Sequence, residues 1–345
     1  MSTTAAKPGA APDPPPAGSR PPAGNGSGTE AEAGRRDAEK GNGREKSPRR
    51  RDRLSTQNLA GWLYSAPFVS LFLTFMAFPI VATLLMSFTD FNLRNVTDPL
   101  SAEFIGLENY SRLAEDEEFV RALFNTVYFV VLGVPLTIGG GLFAAVLLNS
   151  GIDRMRTFFR VGFYAPVVTA IVAVAVIWRF VLDPSEGLIA GLASQVGLTS
   201  PNFLDSEILA MPSLVVMAVW RNLGTAMVLF LAGLQSIPTE VREAARIDGA
   251  GAFQEFRRIT VPLLRPTLLY VAVMTTIGFL NVFEEPFVMT DGGPDNSTLT
   301  ISLHMYKEGF DFFHMGYASA MAYVLFVIVL AVTLLQLRLL KDKTR

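Results

Sequence analysis

The chain has no cysteine and only two histidines in 345 residues, which excludes disulfides and thiolate metal sites. His304 and His314 fall in one polar loop, too few and too isolated for a metal centre. Charge is also scarce: 17% of residues are charged against 50% hydrophobic, with 26 phenylalanines. A soluble protein of this length would carry fewer apolar residues, and here they fall in long runs, so the composition points to a polytopic membrane protein. No Gly-x-x-x-x-Gly-Lys-Ser/Thr occurs, so the chain cannot cradle nucleotide phosphates in that manner. Nor can a nucleophile, a base and an orienting group be assembled from its residues. No catalytic residue, metal or cofactor of its own is expected, and no nucleic-acid partner.

Residues from Met1 to about Arg53 are rich in Pro, Gly, Ala, Arg and Glu, with almost no aliphatic or aromatic side chains. Such a segment buries too little apolar surface to offset its ordering entropy, and residues 1–55 are predicted to be a disordered tail. Its terminal cluster, Arg49, Arg50, Arg51 and Arg53, reads as a topological anchor; binding of anionic membrane lipid is the sharper alternative. The first apolar run starts near residue 59 and is too long for the core of a cleaved signal peptide.

The remainder, residues 56–345, reads as one membrane domain with spans at about 60–88, 122–149, 161–182, 208–235, 266–290 and 315–337, each long enough to cross the hydrocarbon core as a helix. Pro67 and Pro79 are expected to kink the first span, and the third is expected to run unbroken to Arg179 near its end. Lys and Arg concentrate in the tail, in the loop with Arg154, Arg156 and Arg160, in the Ile237–Pro266 segment, and at Arg338, Lys341, Lys343 and Arg345. By the positive-inside rule both termini and the Ile237–Pro266 segment are cytoplasmic.

That segment is charged and amphipathic, set between two spans. Thr239 and Glu240 suit a helix N-cap and first turn, Glu243, Ala244 and Ala245 continue in good helix formers, and Gly249 to Gly251 break the helix. Phe253, Phe256, Ile259 and Leu263 then recur at helical spacing, and Pro262 and Pro266 mark entry to the next span. Two short helices joined by a glycine bend, forming a docking face, are predicted.

The order Glu243-Ala244-Ala245, Gly249, Ile259, Val261-Pro262 resembles the EAA loop of the membrane subunits of binding-protein-dependent ABC importers, with Val261 where that family usually has Leu. Phe104-Ile105-Gly106-Leu107-Glu108-Asn109-Tyr110, Leu231 to Pro238, Thr290 to Pro294 and Gly316 to Ala320 resemble sugar permeases of the maltose and glycerol-3-phosphate type, and the likeness covers roughly residues 58–338. It implies an all-α, type I importer permease fold with a cytoplasmic coupling helix, in a bacterial plasma membrane. It implies as partners a second, non-identical permease, two ATP-binding subunits that carry ATP and Mg, and an extracytoplasmic solute-binding protein. Glu243, Ala244, Ala245, Asp248, Gly249, Ile259 and Pro262 would then couple the spans to the ATPases. A carbohydrate is the implied cargo, with a polyol phosphate such as glycerol-3-phosphate as the alternative and a stand-alone secondary carrier a further one.

Polar residues inside apolar spans mark the substrate path. Arg221, flanked by Trp220, Asn222 and Thr225, sits mid-span, where a charge costs at least about 2.5 kcal/mol and normally faces a bundle interior or a water-filled cavity. Asn281, Glu284 and Glu285 are spaced to share one face of a continuous fifth helix. Arg221 either meets substrate or bridges to Glu284 or Glu285. The acid run Glu115 to Glu118 reads as a solvated face before the second span, with contact to the binding protein as the alternative.

Overall fold

A computed structural model describes residues 50–149 and 156–340. The predicted tail up to residue 49, Arg154 and the basic residues after 340 lie outside the described residues. The chain divides into two units, Met1–Tyr64 and Ser65–Arg345. Of the first, residues 50–64 are described, and they are helical. Among the described residues every regular element is helical, joined by turns and loops, with one isolated bridge between Thr89 and Phe104.

Fifteen α-helical elements are described, α1 (Arg50–Phe72), α2 (Phe78–Met86), α3 (Glu108–Glu115), α4 (Glu117–Asn149), α5 (Arg156–Val168), α6 (Ile171–Val181), α7 (Leu188–Gln195), α8 (Ala210–Gln235), α9 (Thr239–Ile247), α10 (Ala252–Glu255), α11 (Val261–Leu263), α12 (Arg265–Leu280), α13 (Glu284–Met289), α14 (Ile301–Tyr306) and α15 (Met315–Leu340). Four stretches are long and apolar enough to cross a membrane singly: Gly61–Met86, Glu117–Asn149, Ala210–Gln235 and Met315–Leu339. The first has no buried residue in its most apolar stretch, so lipid or protein outside this chain must cover it.

The third and fifth spans depart from expectation. α5 and α6 meet at an angle of 101° across Thr169 and Ala170, so residues 161–182 are two helices. Pro166 sits inside α5 two residues before its end, where its missing amide weakens the last turn. In the fifth span α12 stops at Leu280, and α13 begins at Glu284 after three non-helical residues. Glu284 and Glu285 occupy the first turn of α13, where carboxylates favour the helix N-terminus, with Pro286 beside them. The continuous face through Asn281, Glu284 and Glu285 therefore does not exist. Among the described residues four unbroken spans stand, or up to six if the bent pairs Thr157–Val168 with Ile171–Val181 and Ala252–Leu263 with Arg265–Leu280 each count as one.

α4 and α8 form the centre, and α12 packs beside them. One buried cluster joins Phe129, Leu214, Met217 and Phe279. A second joins Ala145, Met227, Phe230 and Leu264, and a third ties Phe119, Ile301 and Leu303 to Tyr317 and Met321. Close approach needs small residues, since helices in lipid associate by packing alone. A Cβ on Gly224 of α8 would lie 2.1 Å from the Phe163 carbonyl oxygen of α5. Gly224→Ala is expected to destabilise the purified protein by about 1–3 kcal/mol, read as a lower midpoint of thermal unfolding in detergent.

The Phe-x-Gly-Leu-x-Asn-Tyr element is a clasp. Buried Asn109 donates both amide hydrogens to the carbonyls of Ser87 and Thr89, at 2.9 and 3.0 Å, and the Tyr110 hydroxyl pairs with that of Ser87 at 2.8 Å. The loop after α13 is fastened likewise: Asn125 donates to the carbonyls of Asn296 and Leu299, and the Thr126 hydroxyl accepts from the Ile301 amide. His304 is buried, with Nε2 3.5 Å from the Asp116 carboxylate, which also accepts from the Tyr317 hydroxyl at 2.5 Å. Within the acid run, then, Asp116 caps α4 and joins two distant elements, while its neighbours stay exposed.

Candidate functional site

Two constellations remain: the Ile237–Pro266 segment and a polar cavity among α4, α8, α12 and α13. In the first, the helix–bend–helix form is present. Thr239 is the first helical residue of α9 rather than its cap; Pro238 precedes it in an extended conformation, and no side chain caps the helix. The bend needs Gly249, whose φ of +79° lies in the left-handed region. Beyond α10 a π-turn over Phe256–Thr260 leads into α11, and the backbone bends by 68° into α12.

The seven residues expected to couple do not share one face. Glu243, Ala244, Asp248 and Gly249 are exposed, Ala245 is buried, and Ile259 and Pro262 are half-buried. Neighbouring positions on a helix lie about 100° apart, so Ala244 looks outward while Ala245 packs inward. The apolar stripe also splits, with Phe253 and Leu263 exposed and Phe256 and Ile259 half-buried. Ile247, which the sequence reading passed over, is 86% exposed and flanks the bend opposite Phe253 at 74%. Two large apolar side chains left in water beside a glycine bend mark a contact surface.

On the inner side, Glu255 is buried and its carboxylate accepts from Arg242 Nε at 2.7 Å and Arg246 Nε at 3.3 Å. The Arg242 hydrogen bond, opposed by burial, holds this carboxyl below its usual value of 4.5. Asp116 is also depressed below its usual 3.8: burial raises it, and the Tyr317 hydroxyl with the Phe119 and Glu118 amides outweighs that. A carboxyl lowered in the folded state contributes stability above its unfolded pKa and loses it as pH falls through the lower folded value. Thermal stability is therefore expected to be insensitive to these two groups from about pH 8 to about pH 5, and to fall only in stronger acid. A pH series of unfolding midpoints, with Glu255→Gln and Asp116→Asn for comparison, checks this.

The second constellation is a cavity of about 220 Å³ lined by Arg221, Asn222, Thr275, Asn281, Glu284 and Glu285, with Phe129 and Phe279 among its apolar walls. The broken fifth span makes it: the chain turns at Asn281, so α12 and α13 both end on the cavity and the two carboxylates arrive from a helix start. Glu285 is 6% exposed and Glu284 is open. Arg221 Nε is buried and has no hydrogen-bond partner, and no ion pair within 4.0 Å joins Arg221 to either glutamate among the described residues. Asn222 and Asn281 each donate one amide hydrogen to their own helix, at 2.9 and 2.8 Å. Trp220 and Thr225 are not part of this lining. Trp220 is 45% exposed and packs on Trp178, with ring centroids 5.7 Å apart, and Thr225 is exposed. Thr276 turns away to bond Gln336.

Residues 118–345 match the family described as binding-protein-dependent transport system inner membrane component. The chain belongs to that family. Among similar proteins, the probable ABC transporter permease YesP of Bacillus subtilis is 37% identical over 306 residues, covering 86% of this permease and 94% of the relative. The arabinooligosaccharides transport system permease AraP of the same organism is 33% identical, covering 84% and 91%. A crystal structure of a bacterial ABC transporter that imports the acidic polysaccharide alginate holds a chain matching with a TM-score of 0.74 at 25% identity, over 85% of this permease and all of that chain. The permease is thus a multi-pass component of a bacterial plasma membrane, with the all-helical fold of ABC importer permeases. In this family the membrane subunit is not the catalyst, and partner ATPase subunits hydrolyse ATP.

Proposed function

We propose that this permease forms half of the transmembrane path of an ATP-driven carbohydrate importer, beside a second, non-identical permease, with two ATPase subunits on the cytoplasmic side and an extracytoplasmic solute-binding protein delivering cargo. The observation that carries the reading is the exposed helix–bend–helix, with Glu243, Ala244, Ile247 and Phe253 outward around Gly249. A short helix of this kind lodged in an ATPase groove converts closure of the ATPases into rigid-body motion of the spans. Both termini and this segment are cytoplasmic in this reading, supported by the distribution of Lys and Arg.

The cavity around Arg221 is the substrate contact. It presents one guanidinium and two carboxylates with two amides, so a bound anion would meet more negative than positive charge when both glutamates are ionised. A neutral sugar suits it better: hydroxyls donate to carboxylates and accept from Arg and Asn. This favours carbohydrate over a polyol phosphate, in line with AraP, whose name assigns it arabino-oligosaccharides. Proteoliposomes holding the complete complex are expected to accumulate a neutral arabino-oligosaccharide and not glycerol phosphate. Preferential uptake of the phosphate would overturn the substrate assignment.

A further inference from the structure

α9 and α10 are joined at a bend that packing does little to hold. A Cβ on Gly249 or Gly251 would meet nothing within 4 Å, so no other element packs against these two positions, and the turn is closed by local backbone bonds from the Gly249 and Ala250 amides to the Arg246 and Ala245 carbonyls. Between the segment and the ends of α4 and α8 lies a cavity of about 220 Å³, bounded by Val146 and Asn149 on one side and Leu234 and Ile237 on the other. Across this space the elements are tied chiefly through charge. Arg242 and Arg246 stand four apart on one face of α9, and Glu255 stands at the end of α10. The two guanidiniums hold different oxygens of the one carboxylate, whose side chain is 8% exposed, while those of the arginines are 36% and 63% exposed.

We propose that Glu255, gripped by Arg242 and Arg246, is a positioning residue that fixes the angle between the ATPase-docking helix and the helix leading into the fifth span, and so sets how much ATP-driven motion reaches the spans. It touches neither substrate nor nucleotide. A bar transmits motion only if its joint is stiff. With Gly249 at the joint, stiffness must come from a tie across the bend, and the doubly bonded carboxylate supplies one. Charge-assisted bonds are short and directional, and burial of the carboxylate shields it from the screening that weakens surface pairs. The face turned to the ATPase carries Glu243, Ala244, Ile247 and Phe253; the clamp lies on the other side, so it can be altered with the docking surface left in place.

The inference rests on the proposed coupling role of this segment, and the experiment separates the two. In proteoliposomes of the complete complex, sugar transported and ATP hydrolysed are measured together for wild type, Glu255→Gln, and an exchanged pair of partners, Arg242→Glu and Arg246→Glu against Glu255→Arg. Glu255→Gln is expected to keep the ATPase bound and hydrolysing while sugar moved per ATP falls roughly five-fold. The exchanged pair is expected to recover most of that ratio, which a merely structural carboxylate would not do. An unchanged ratio in Glu255→Gln overturns the clamp while leaving docking intact. If Glu255→Gln does not assemble, the exchanged pair decides: recovery of assembly and ratio supports the clamp, and failure of either overturns it. Wild-type uptake that ignores ATP would instead overturn the docking reading beneath it.

Discussion

Replacing Gly249 by valine is expected to cut ATP-driven uptake by the assembled importer about ten- to a hundred-fold, with the chain still inserted and folded. The backbone there has φ +79°, and a β-branched residue in that region is a genuine outlier, costing of order 1–3 kcal/mol. A Cβ at this position meets nothing within 4 Å among the described residues, so the loss falls on the bend and on whatever docks against it. Uptake, co-purification of the ATPase and ATPase stimulation by the loaded binding protein should decline together. Gly249→Asn, which tolerates the left-handed region, should retain more uptake than valine. Equal uptake in wild type and Gly249→Val would remove the bend from the coupling account.

The second large effect is expected at Arg221. Truncation to alanine should lower uptake by about a hundred-fold, the size of two lost hydrogen bonds to a charged group at about 1.5 kcal/mol each. It also strips the cavity of its one positive charge, leaving Glu284 and Glu285 facing each other's field. Arg221→Lys keeps the charge without the planar fork and should recover only part of the activity. Binding of the ATPase should be untouched, since Arg221 is not in the docking segment. If Arg221→Ala transports normally, the cavity is not on the sugar's route. If it fails to fold and Arg221→Lys transports fully, the arginine is a charge partner for the glutamates rather than a ligand.

Much of this was legible in the sequence because bilayer physics leaves little choice: an uncharged run of some twenty residues must be helical, and a charged, glycine-broken segment between two such runs must lie outside. The breaks at Thr169 and Asn281 were hidden by the same rule, since hydropathy averages over them. A local signal for the second was present in Asn281-Val282-Phe283-Glu284-Glu285-Pro286, where two acids and a proline mark a helix start more readily than a helix middle. Reading it so would have dissolved the expected shared face and still brought Asn281, Glu284 and Glu285 to Arg221. Trp220 and Thr225 were drawn in by adjacency to Arg221, yet Trp220 packs against Trp178 of α6 and Thr225 is exposed. Glu255 was invisible because its role depends on the turn at Gly249 folding it back over Arg242 and Arg246.

The most direct test of the central claim is uptake of a labelled neutral oligosaccharide into proteoliposomes holding the permease pair, with and without its ATPase subunits, at fixed binding protein and ATP. Concentrative uptake is expected only when ATPase, ATP and binding protein are all present, and should vanish when any one is omitted. Sustained concentrative uptake by the permeases without the ATPase would contradict the account and make this chain a secondary carrier.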